Sequence, residues 1–68
     1  MNEDNLNMEI RKFLKKVGIT SQRIIENHIH EADKNGTIKA GDEIELKMTL
    51  SIENFQSTHI IDGKIMIE

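Results

Sequence analysis

Five side chains in this sequence have the types that acid-base catalysis or metal binding would use: Glu26, His28, His30, Glu31 and His59. Imidazole titrates near neutral pH and ligates metals, and a carboxylate can orient it or share a metal with it. The spacing undercuts that chemistry. On a helix His28 and His30 point about 200° apart and cannot hold one ion between them. Glu26 and His30 sit one turn apart and offer two ligands, but no third is in phase with them. No nucleophile is placed near the histidines by spacing, so neither a Ser-His-Asp nor a Cys-His arrangement assembles. A partly buried His28 on an apolar stripe, with a solvent-facing His30 paired to Glu26, accounts for the same residues. We therefore expect no enzyme activity, no catalytic or metal-binding residue and no cofactor.

The second group able to do chemistry is basic. Arg11, Lys12, Lys15, Lys16 and Arg23 supply five of the nine basic residues within thirteen positions, while the region from Asp42 onward is mostly acidic. The segment from Phe13 to Ile24 resembles a helix-turn-helix, with Gly18 in the turn and Thr20 opening a second helix. It departs from that motif at Leu14, where close helix crossing wants a small residue, and at Asn27, where an apolar one belongs. The would-be recognition helix from Ser21 to Asn35 carries Arg23 and Lys34 against Glu26, Glu31 and Asp33, a balance that repels phosphates. With a net charge of −3 and only two aromatic side chains, both phenylalanine, the composition also argues against nucleic acid. A helix-turn-helix nucleic-acid binder is kept as the alternative reading. A membrane surface fits poorly, because the first helix opens with Glu3, Asp4 and Glu9. A solvated face is the commoner fate of such charges, and the functional reading beside it makes these five basic residues a docking surface for an acidic protein partner.

These side chains need elements to hold them. Asn2 to Asn5 offers capping side chains and negative charge where a helix begins. Leu6, Ile10, Phe13, Leu14 and Val17 then draw an apolar stripe, and Gly18 stands where a left-handed residue closes a helix. Thr20 suits an N-cap, and Ile24, Ile25, His28, Ile29 and Ala32 form the next stripe until Asn35-Gly36. The expectation is two helices, about 3–17 and 21–35. Thr37 to Gly41 reads as a loop. Glu43 to Ile52 alternates polar and apolar without a slip, a strand with Ile44, Leu46, Met48, Leu50 and Ile52 on its buried face. After a turn at 53–57, His59, Ile61, Ile65 and Ile67 share one parity through Gly63, giving strands about 43–53 and 57–67. The rival reading turns at Asp62-Gly63 and makes three strands.

The expected fold class is α+β, with two N-terminal amphipathic helices packed on one face of a C-terminal antiparallel hairpin or three-stranded meander, in ααββ order. At 68 residues there is room for one small domain, and chains this short are marginal without staples or partners. No cysteine is present to supply a disulfide, and no apolar run is long enough to cross a membrane or open a signal peptide, so a cytoplasmic protein is expected. Ile60, Ile61, Ile65, Met66 and Ile67 put apolar groups on both parities of the last strand. One parity then faces outward, and Ile60 and Met66 are the candidate dimer surface of a homodimer formed through the sheet edge or the outer sheet face.

Met1-Asn2-Glu3-Asp4, Asn7-Met8, the run Ile10 to Gly18 and Thr20-Ser21-Gln22-Arg23 resemble the opening of a family of short bacterial proteins known only as a domain of unknown function. The likeness continues through the Gly36 stop, the alternating strand, Thr58-His59 and Asp62-Gly63. It implies a stand-alone bacterial protein and carries no activity, substrate or ligand. From the residues themselves, the expected function is a non-enzymatic protein-interaction or regulatory module.

Overall fold

The computed structural model describes residues 1–68. It contains one helix, α1 (Glu3–Lys34), then two strands, β1 (Glu43–Ile52) and β2 (Ser57–Met66), joined by a single 3-10 turn, Glu53–Phe55. The chain divides into two compact units, Met1–Asn35 and Gly36–Glu68.

The helix corrects the expectation of two helices, and with it the ααββ order. Gly18, Ile19, Thr20 and Ser21 lie inside α1, so Gly18 is not a terminator and Thr20 is not a cap. A glycine inside a helix costs about 1 kcal/mol against alanine. Breaking the helix there costs more, since each new end leaves backbone donors and acceptors without partners and a second helix needs a second nucleus. The true ends are well made. The Asn2 side chain accepts the Asn5 backbone N–H at 3.0 Å. Glu3 and Asp4 place negative charge in the first turn and Lys34 a positive charge in the last. Past Asn35, Gly36 takes a left-handed φ of 70° and stops the helix, as the Asn35-Gly36 pair predicts.

One helix also removes the helix-turn-helix, which needs a turn between its two helices. Residues Phe13 to Ile24 pass through it without one.

The hairpin matches the two-strand reading and overturns the three-strand one. Ten residues of β1 pair antiparallel with ten of β2, from Glu43↔Met66 at the open end to Ile52↔Ser57 at the turn. Asp62 and Gly63 sit inside this ladder opposite Lys47 and Leu46, so neither is a turn or a bulge. Partners directly across an antiparallel ladder share a face. One face therefore carries Ile44, Leu46, Met48, Leu50 and Ile52 beside Ile65, Gly63, Ile61, His59 and Ser57. The other carries Glu45 opposite Lys64 and Lys47 opposite Asp62, and Lys64 Nζ lies 3.4 Å from Glu43 Oε1. A one-residue slip would push these charges onto the apolar face, so the two faces lock the register together.

Two short features close the hairpin ends. Gln56 adopts a left-handed φ of 49°, and its N–H reaches the Glu53 carbonyl at 3.2 Å. At the open end Asp42 accepts the Lys39 N–H on its side chain and the Ile67 N–H on its carbonyl, while Gly41, at φ 97°, donates to the Ile67 carbonyl. Neither unit encloses a core of its own. No residue of the chain is buried, and Phe13 and Leu14 are each 55% exposed. A helix and a two-stranded hairpin each have only one layer, and a core needs two.

Candidate interaction surfaces

The unbroken helix fixes the geometry of the basic block. At 100° per residue Lys12, Lys16 and Arg23 fall on one side, across from Val17, Ser21 and Ile25, with Arg11 and Lys15 on a flank between them. From Arg11 to Arg23 the sequence holds five basic residues and no acidic one. The helix's one ion pair joins Lys12 to Glu9 at 3.9 Å with both side chains mostly in water, a contact worth little. Arg11, Lys15, Lys16 and Arg23 have no intrachain carboxylate partner.

Opposite the basic side runs the apolar stripe. Leu6, Ile10, Phe13, Leu14, Val17, Ile24, Ile25, Ile29 and Ala32 follow it from end to end, with Ser21 and His28 in line. Along it Val17, Ser21, Ile25, Ile29 and Ala32 are partly buried and the rest are exposed. His28 is exposed rather than partly buried. Glu26 and His30 border a shallow depression together with Arg23, and no ion pair joins them. No group of three histidine or acidic side chains stands close enough to hold a metal ion.

On the hairpin the structure brings together a pair that spacing along the sequence did not suggest. Ser57 Oγ lies 2.8 Å from His59 Nε2. Residues two apart on a strand share a face, so the pattern Ser-x-His within a strand was the available signal. A hydroxyl bonded to an imidazole is the first step of a nucleophile-base pair, but catalysis also needs a group to orient the ring and donors for the developing oxyanion. The residues across from these two are Ile52 and Leu50, which supply neither. Ile60 and Met66 are on the charged outer face, opposite Thr49 and Glu43, and are 57% and 59% exposed.

Residues 1–68 match the family described as Family of unknown function (DUF6494). The chain belongs to that family. Neither a curated protein nor a solved structure matches it. The family carries no assigned activity to transfer, so the functional reading rests on the surfaces themselves. α1, the one helix, is not long and apolar enough to cross a membrane.

Proposed function

We propose that this protein is a non-enzymatic interaction module of the cytoplasm whose working form is a homodimer, with the basic side of α1 left to dock an acidic protein partner. The observation that carries the reading is that each unit sorts its apolar residues onto one surface, a stripe of α1 and one face of the hairpin, that its own single layer cannot cover. Such sorting stabilises a fold only when something covers it.

Light scattering over a hundredfold dilution from about 1 mM tests the proposal, because interfaces that matter hold at micromolar concentration. A mass of twice 7.8 kDa that persists on dilution is expected. A monomer mass throughout, with a cooperative melt, would overturn it.

A further inference from the structure

We infer that two copies of the chain join along the free edge of β2, antiparallel about a two-fold axis at Gly63, so that two hairpins become one four-stranded sheet. This rests on the homodimer proposed above and names the edge and the register that form it.

The backbone is the first observation. The sheet has two strands only, so β2 is bonded to β1 on one side and to no strand on the other. Ile67 turns its N–H to the Asp42 carbonyl and its carbonyl to the Gly41 N–H, both on the β1 side. That direction alternates along a strand, so Thr58, Ile60, Asp62, Lys64 and Met66 aim their backbone groups out of the free edge. Backbone bonds outside the helix and the ladder involve none of these five residues. A helix laid against such an edge hides it without bonding to it, whereas another strand bonds to it group for group. A hairpin of two strands is also marginal in water, and four strands are not.

The register is the second observation. An axis at Gly63 sets Asp62 against Lys64 of the second copy and Lys64 against its Asp62, two ion pairs from one contact. It also sets Ile61 against Ile65, and Ile60 against Met66. The last two are exposed apolar side chains on an otherwise polar face, and this register gives each an apolar partner. Neighbouring registers lose these pairs. An axis at Asp62 or Lys64 opposes that residue to its own like charge, one at Ile61 or Ile65 leaves both charges without an opposite, and one between two residues opposes residues of different faces. The β1 edge has one comparable register, about Leu46, which pairs Glu45 with Lys47. It leaves Ile60 and Met66 unmatched and runs Leu50 to Ile52 into the turn that the Asp42 N–H closes on the Lys39 carbonyl.

Hydrogen exchange of the native protein tests the edge. In the dimer the amides of Ile60, Asp62, Lys64 and Met66 are expected to be protected together with those that face β1, and dilution to monomer should remove the protection of these four alone. If the native protein is a dimer and these amides exchange freely in it, the edge pairing falls and the homodimer stands; if the native protein is a monomer, both fall. Thiol linking tests the register. The protein has no cysteine, and a Cβ at Gly63 meets no atom within 4 Å. Gly63→Cys is expected to link two copies in a glutathione redox buffer, and a mixture of Ile61→Cys and Ile65→Cys proteins to give the mixed dimer. Linking by Leu46→Cys and not by Gly63→Cys would move the contact to the β1 edge and overturn the inference.

Discussion

Leu50 of β1 stands directly across the hairpin from His59 of β2, while the next pair along, Thr49 and Ile60, occupies the opposite face. Two neighbouring residues thus report on two different surfaces. Leu50→Asp places a charge among Met48, Ile52 and Ile61, a face that association is proposed to cover, and should destabilise by about 2 kcal/mol or more. Thr49→Asp, beside Lys47 and Ser51 on the charged side of the strand, should stay within about 0.5 kcal/mol. Thermal melts at equal protein concentration compare them. Equal losses would mean that both faces of the hairpin are covered.

Gly18→Ala tests the continuity of the helix. A methyl group at this position meets no atom within 4 Å. In a helix interior the change should stabilise by about 1 kcal/mol, which for a chain of this size raises the melting temperature by about 4–8 °C. A fall instead would mean that the glycine terminates a helix or that another backbone packs against it.

Two positions at the hairpin ends should respond with opposite signs. Gly41, at φ 97°, donates to the Ile67 carbonyl at 2.6 Å, and alanine there should cost about 1–2 kcal/mol. Gln56 holds a left-handed φ of 49° without the freedom of glycine, so Gln56→Gly should be neutral or stabilising. Denaturant midpoints at an unchanged slope would measure both. A tolerated Gly41→Ala would show that the turn relaxes to another conformation.

The outer face of the hairpin is a separate candidate for self-association. Ile60→Thr with Met66→Thr should leave the mass in solution unchanged if the apolar stripe or the apolar sheet face forms the contact. Paired β2 edges, which bring these two side chains together across the two-fold axis, should instead give a drop toward monomer on dilution; within the hairpin the two lie opposite Thr49 and Glu43.

The strand pattern was legible in the sequence because a strand's period is two and its faces can be read off residue by residue. Ile44 to Ile52 fall on one face, and Ile60 and Met66 fall on the other, as the alternation requires. The Asn2 cap and the Gly36 stop were legible for a similar reason, since each is a local contact or a local φ. The break at Gly18 was a misreading of signals that are ambiguous in isolation: glycine then threonine serves a helix end and a helix interior alike. Cooperativity across the whole helix decides between them, and the steps of four from Val17 to Ser21 to Ile25 kept one phase through the supposed break. Only the tertiary structure chose between the turn at Asp62-Gly63 and the full ladder. A ladder of ten pairs outweighs a locally favourable dipeptide, and the pairs that form it lie up to twenty-three residues apart in the chain. The Ser57–His59 contact likewise came from the structure alone. Periodicity tells which residues seek cover, and only the packing of the chain tells whether it supplies that cover itself.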